Sequence, residues 1–286
     1  MSKNLAASIR ARLKNHADAT GQDFNLILTH FGLERLLYRL SISQHAGNYL
    51  LKGALLFSLW YDQPKRPTRD ADLLGFGADD TATAVAAFQD ICKIQVEDGL
   101  AFDPDLVKAT EIRKEAGYGG VRLELLGFLD GARISLQVDI GFGDAVTPAP
   151  EAVEYPVLIA NLPAPHLRAY PKYTVIAEKL HAICLLGMAN TRMKDYFDLR
   201  VLLAEDAIDA SLLVAAVEAT FNRRQFAVPT IAPAGLSGEF ADDPVKQRQW
   251  AAFLKKSRLD APDLRETTRA VRETLTRLGV LPMDTL

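Results

Sequence analysis

Asp70 and Asp72 stand two residues apart in the run Pro67-Thr68-Arg69-Asp70-Ala71-Asp72-Leu73-Leu74. Successive side chains of a strand point to opposite faces, so these two carboxylates share one face while Ala71 and Leu73 take the other. Like charges so placed repel unless a cation lies between them. The pair suits Mg²⁺, a hard ion that takes few carboxylates, keeps several waters and completes its shell with substrate phosphates. The implied chemistry is phosphoryl or nucleotidyl transfer. Upstream, Lys52-Gly53-Ala54-Leu55-Leu56 closes a short apolar segment and opens a helix-length spacer. Gly53 lets the backbone turn closely there, and the free amides and dipole of a helix start favour an anion such as a triphosphate. Lys52, Gly53 and Arg69 are accordingly the nucleotide-binding candidates on this side of the chain. An Asp-x-Asp pair alone is common in surface loops; the glycine, the helix and the strand around it are what raise it to a candidate metal site.

The elements that must hold these residues can be read from periodicity. Helical spacing over residues 3–18 and 23–40 opens the chain, followed by a short apolar strand, Tyr49-Leu50-Leu51. A helix is expected over 54–61, stopped by Gln63-Pro64-Lys65-Arg66-Pro67, because proline lacks an amide donor and restricts the residue before it. After a helix over 81–92, Val121 to Leu125 alternates, Asp130-Gly131 is a hairpin turn, and a second alternating run covers 132–140. Its apolar face is Ile134, Leu136, Val138 and Ile140; its polar face is Arg133, Ser135, Gln137 and Asp139. Asp139 therefore ends a polar face as a lone acid. Residues 148–171 are rich in proline with short apolar runs such as Val157-Leu158-Ile159, and the domain boundary is placed at their start, giving an α/β half over 1–147 and a mainly helical half over 148–286. Helices are expected over 173–186, 193–204, 210–221, 245–256 and 261–278, with a loop over 226–243.

With 49% apolar and 24% charged residues among 286, the composition is that of a soluble globular protein. No apolar stretch approaches the roughly 20 residues of a membrane span, and the N-terminus lacks a signal-peptide core, so no membrane association and a cytoplasmic location are expected. Cys92 and Cys184 lie in separate apolar runs without zinc spacing and read as free thiols. A net charge of −3 gives no global argument for nucleic acid. Local clusters are basic: Lys3, Arg10, Arg12 and Lys14; Lys65, Arg66 and Arg69; and Lys246, Arg248, Lys255, Lys256 and Arg258. Each is either a solvated face or part of a nucleic-acid track. The cluster beside the Asp pair carries more weight, and Lys65, Arg66, Arg69, Lys172 and Arg192 are candidates for holding RNA or triphosphate, with salt-sensitive binding.

A second constellation joins Ala177-Glu178-Lys179-Leu180 to Arg192-Met193-Lys194-Asp195-Tyr196-Phe197-Asp198-Leu199. Lys179 is either an exposed helix lysine or a cation for a nucleotide triphosphate. Asp195 is either an acid at a helix N-terminus or a functional carboxylate, and Asp198 shares its face. His181 reads as an ordinary helix histidine. Tyr170, Tyr173 and Tyr196 are either core residues or platforms for bases.

Strand, glycine, helix, then a strand bearing Asp-x-Asp and a later strand bearing a third acid is a layout that resembles the polymerase β-like nucleotidyltransferase superfamily. More specifically, Glu34-Arg35-Leu36-Leu37-Tyr38-Arg39-Leu40-Ser41, Leu51-Lys52-Gly53-Ala54, Arg66-Pro67-Thr68-Arg69-Asp70-Ala71-Asp72, Tyr118-Gly119-Gly120-Val121-Arg122, Val138-Asp139-Ile140-Gly141-Phe142-Gly143-Asp144, Ala177-Glu178-Lys179 and Arg192-Met193-Lys194-Asp195-Tyr196-Phe197-Asp198-Leu199 together resemble the AbiEii/MenT nucleotidyltransferase toxins. The resemblance implies an α/β polymerase β-like core with a helical C-terminal half. It implies a toxin, partnered by an antitoxin encoded beside it, that uses an NTP and Mg²⁺ to add nucleotides, pyrimidines in relatives, to the 3′ CCA end of tRNA, blocking aminoacylation and translation; the sequence leaves the oligomeric state open, with a monomer favoured. Carried over by position, Asp70 and Asp72 hold Mg²⁺, Lys179 contacts the triphosphate and Asp195 completes the catalytic set, while Asp139 matches the superfamily's third carboxylate. Thr68 matches a hydroxyl phosphorylated by kinase-type antitoxins in some relatives; read from the residues alone it is a loop threonine ahead of a strand. One departure is Ala54, where the superfamily usually carries glycine or serine, so a hydroxyl on the phosphates is missing. Transfer to a protein hydroxyl or small molecule, or a catalytically silent module binding antitoxin or RNA, are the competing readings.

Overall fold

In the computed structural model, which describes residues 3–61, 66–113, 119–204 and 207–283, the chain opens with two helices, α1 (Lys3–Thr20) and α2 (Phe24–Ser41), as the apolar spacing requires. Asp23 caps α2, its carboxylate accepting from the Leu26 amide at 2.9 Å. Among the described residues one sheet follows, built from β1 (Tyr49–Lys52), β2 (Asp70–Gly75), β3 (Ala101–Phe102), β4 (Lys108–Arg113), β5 (Gly119–Leu129), β6 (Ala132–Phe142), β7 (Glu151–Glu154) and β8 (His166–Ala169). Its order is β3-β5-β6-β2-β1-β8-β7, with β4 also pairing β5. β2 runs parallel to β6 and antiparallel to β1. Asp130 and Gly131 both take positive φ, 44° and 76°, as the tight hairpin between β5 and β6 demands. The expected spacer helix is shorter than its apolar pattern suggests: a 3₁₀ turn over Gly53–Leu56 runs into α3 (Phe57–Trp60), and Tyr61 is already extended. α4 (Thr81–Lys93) is capped by Asp80.

Alternation on β6 decides which face is which. Ile134, Leu136, Val138 and Ile140 are buried, and α2 packs on that side so closely that a Cβ on Gly32 would meet Leu136 Cδ2 at 2.9 Å. Each such side chain contributes about 1.5–3 kcal/mol of transfer free energy, and their burial leaves Gln137 and Asp139 on the opposite face. Arg39 fastens α2 to the segment after α4. All five of its donors are used, on Ile94 O, Arg35 O, Leu100 O and both carboxylate oxygens of Asp98.

The chain separates into two compact units, residues 1–143 with 151–169 and residues 144–150 with 170–286. The first contains all the strands described above. The proline-rich stretch is drawn to it by named contacts: the Leu158 amide donates to Glu34 Oε2 at 2.7 Å, and Arg12 donates to Ala160 O at 2.9 Å. Burial pushes the Glu34 carboxyl up to about 7, against the pull of Arg35 and of that amide. β4, β7 and β8 were not expected from the sequence, because they are short and partly exposed and so carry no clear alternation.

The second unit is helical: α5 (Lys172–Leu186), α6 (Met193–Leu203), α7 (Ala210–Arg223), α8 (Gly238–Asp242), α9 (Pro244–Ser257) and α10 (Leu264–Arg277). The stretch expected as a loop holds the short α8, capped by Ser237, whose hydroxyl accepts from the Phe240 amide. Tyr196 is core: fully buried, stacked on Phe240 and donating to Gly235 O at 3.0 Å. Tyr170 is likewise buried. Neither is a platform for bases. Among the described residues no helix is long and apolar enough to cross a membrane. Both cysteines are free, and burial pushes their thiols up to about 12.

Candidate active site

In the sheet unit one row of charges crosses four strands at a common register: Lys52 on β1, Asp72 on β2, Asp139 on β6 and Arg122 on β5. Directly opposed residues of paired strands share a face, so these four lie on the polar side of the sheet. Asp70, two residues before Asp72, is opposed to Gln137 on the same face. The sequence expectation that Asp70 and Asp72 share a face therefore holds, and the register adds Asp139 and Lys52 beside Asp72.

Three local devices shape the row. Gly53 has φ +74°, and a Cβ there would lie 2.0 Å from Asp72 Oδ2 and 2.6 Å from its Cγ, so the carboxylate rests on a bare α-carbon. Thr68, nearly buried, donates its hydroxyl to Asp70 Oδ1 at 2.6 Å. Its own carbonyl is 2.7 Å from His30 Nε2, which must carry the proton, while burial lowers the His30 pKa. Arg122 donates from Nε and Nη2 to the two oxygens of Asp139 at 2.8 and 2.7 Å. Nothing in the sequence marks Arg122 for a role, because a strand arginine on a polar face looks like any solvated one until the register is known. Hard carboxylate oxygens at Asp70 and Asp72, with no Cβ crowding Asp72, fit Mg²⁺. Among the described residues no group of three or more acids, histidines or cysteines is arranged to hold a metal. Arg69 is 70% exposed, 4.0 Å from Asp23.

Gly53→Ala tests the cradle. A left-handed alanine costs about 1–2 kcal/mol, and Asp72 must also turn away from the new methyl. The expected result is a melting temperature a few degrees lower and a larger loss in metal binding at the Asp pair than that shift explains.

The helical unit holds the second cluster by itself. Lys179, on α5, donates to Asp195 Oδ1 at 2.9 Å and lies 2.7 Å from Asp198 Oδ2, and Arg192 Nε donates to Asp195 Oδ2 at 2.6 Å. Asp195 and Asp198 are fully buried and Lys179 is 12% exposed, so Lys179 is no exposed helix lysine. Burial works to raise the Asp195 pKa, but Lys179 and Arg192 outweigh it and hold the carboxyl well below its usual range. Arg192, a candidate for RNA or triphosphate, is thus already engaged on Asp195. Next along α5, Arg224 pairs with Glu178 at 3.3 Å and Asp144 at 2.9 Å. His181 is buried against Phe221 and Phe226, and burial, with Arg224 beside it, lowers its pKa to about 4.

The basic clusters resolve unevenly. Lys246 is buried, donating to Asn190 O at 2.9 Å, and so leaves the presumed track on α9. Arg10 pairs with Asp130 at 3.7 Å and Lys14 with Asp18. Lys65 and Tyr118 lie outside the described residues.

None of the curated proteins matches the chain. Among solved structures, JHP933 from Helicobacter pylori is similar over 85% of this chain and 87% of its own, at 15% identity and a TM-score of 0.49. A provisionally assigned nucleotidyltransferase from H. pylori is similar over 85% of this chain and 90% of its own, at 17% identity and a TM-score of 0.46. A family model described as nucleotidyl transferase AbiEii toxin, type IV toxin–antitoxin system, matches residues 35–277, a span that takes in Lys52, Gly53, both members of the Asp pair, Asp139 and the Lys179 cluster. The mixed α/β fold with its helical second unit is the nucleotidyltransferase fold expected from the motifs, and the chain belongs to the AbiEii nucleotidyl transferase toxins of type IV toxin–antitoxin systems.

Proposed function

We propose that the chain is a Mg²⁺-dependent toxin that transfers nucleotides from an NTP, a pyrimidine NTP by resemblance, to the 3′ CCA end of tRNA, blocking aminoacylation and hence translation. The observation that carries the chemistry is the Asp70–Asp72 pair on one face of β2, with Asp72 seated on Gly53. The acceptor rests on the likeness of its motifs to the AbiEii/MenT toxins, and the toxin role on the family.

The terminal ribose hydroxyl gives up its proton to solvent and attacks the α-phosphorus; an oxygen–phosphorus bond forms as the bond to the β-phosphate oxygen breaks, and pyrophosphate leaves. Asp70 and Asp72 would hold the metal. Mg²⁺, when bound, lowers the pKa of a coordinated hydroxyl and neutralises charge on the departing pyrophosphate. Lys52, Gly53 and Arg69 bind the nucleotide in this reading, and Lys179 contacts its triphosphate. Asp195 has no exposed surface and acts by orienting Lys179. A phosphate on Thr68 would break the hydroxyl's bond to Asp70 and add a charge of roughly −1.5 to −2 beside the pair, which is how a kinase-type antitoxin would silence the site.

The test incubates purified protein with each α-³²P-labelled NTP, Mg²⁺ and total tRNA, beside an Asp70→Ala control. Label on tRNA from one NTP, absent in the control, is the expected result. Label that survives RNase and stays on protein points to a protein hydroxyl as acceptor. No label, with RNA or antitoxin binding unchanged in Asp70→Ala, points to a silent binding module.

A further inference from the structure

We propose that Arg122 is a positioning residue that stands in for a second metal ion by withholding Asp139 from the metal site. The inference rests on the nucleotidyltransferase reading above and concerns how many ions that site takes. Three carboxylates, Asp70, Asp72 and Asp139, lie on the polar face of β2 and β6. Were all three available, they could hold two divalent ions between them. Here Arg122 faces Asp139 directly across β5 and β6, and its guanidinium takes both carboxylate oxygens side-on at 2.8 and 2.7 Å. A divalent ion on this carboxylate would sit against a fixed positive charge, and like charges at that distance repel strongly. On the other side of Asp72, Lys52 holds the matching register position on β1.

The pair is not sealed in the interior: Arg122 is 39% and Asp139 19% exposed. A metal could therefore reach Asp139, and it is the guanidinium rather than burial that keeps it off. The site thus takes one ion, on Asp70 and Asp72.

Counting bound Mn²⁺ by electron paramagnetic resonance on the full chain tests this apart from activity. Wild type should bind one Mn²⁺, lost in Asp72→Asn and kept in Asp139→Asn. Arg122→Leu should gain a second Mn²⁺, which disappears when Asp139→Asn is added. Two ions in wild type, loss of the single ion in Asp139→Asn, or an unchanged count in a folded Arg122→Leu would each overturn the proposal; the Asp139→Asn arm decides it should Arg122→Leu fail to fold. One bound ion in a protein that transfers no nucleotide would sink the proposed reaction and leave this inference standing.

Discussion

Replacing Lys179 with methionine is expected to destabilise the helical unit by about 3–5 kcal/mol at neutral pH. The ammonium is shared by two carboxylates with no exposed surface, Asp195 at 2.9 Å and Asp198 at 2.7 Å. Removing one partner of a buried pair leaves an uncompensated charge, and that residue, rather than the lost attraction, sets the size of the effect. Arg192 still covers Asp195 in the variant, which keeps the loss short of a fully bare charge there. The effect should also depend on pH. The folded-state pKa of Asp195 is depressed, so its contribution is fully present above the unfolded value near 3.9 and fades as pH falls through the folded one. In the variant the Asp195 carboxyl, less well paired, protonates at higher pH and is relieved sooner. The gap between wild type and Lys179→Met should therefore be widest near pH 7 and narrow below about pH 4. Denaturant unfolding at several pH values measures it, and an equal gap at pH 7 and pH 3.5 would mean that Lys179 is not the counter-ion its distances indicate.

The parts of this site that could be read beforehand are those that a local period encodes. Asp70 and Asp72 follow from period two on β2, and the buried Ile134-to-Ile140 face of β6 follows from the same rule. Register is not a local property. Asp72 meets Asp139 because β2 pairs in parallel with a strand more than sixty positions downstream, and Arg122 meets Asp139 because of the hairpin register after it. Neither pairing leaves a mark on the composition of the segments. Asp195 and Asp198 were placed on one face by their i,i+3 spacing, but nothing in a run of charged residues says that two of them will be wholly buried; that depends on Lys179 arriving from α5. Lys246 and Tyr196 show the converse. A lysine in a basic stretch and a tyrosine in a motif suggested surface roles, and tertiary packing drew both into the core around Phe240. The proline-rich stretch also hid its strands, since four-residue pairings like β7 and β8 are too short to display alternation.

Asp70→Asn and Asp72→Asn, each made alone, should reduce nucleotide transfer about a thousandfold or more while leaving the fold in place. Asparagine keeps the shape of aspartate, and at position 70 its oxygen can still accept the Thr68 hydroxyl that now donates at 2.6 Å. At position 72 the amide still fits over Gly53, where no Cβ stands in its way. What each exchange removes is a formal charge on the face that would hold the cation. A metal in such a site supplies several kcal/mol of transition-state stabilisation, and a loss of about 4 kcal/mol corresponds to roughly a thousandfold in rate. The melting temperature should move by only a few degrees, because each exchange also relieves the repulsion between two carboxylates on one strand face. Transfer rates for the two variants, read beside their thermal melts, separate chemistry from folding. If both variants, folded, still transfer nucleotide at near the wild-type rate, then the Asp70–Asp72 pair holds no catalytic metal and the reaction must be sought elsewhere on the chain.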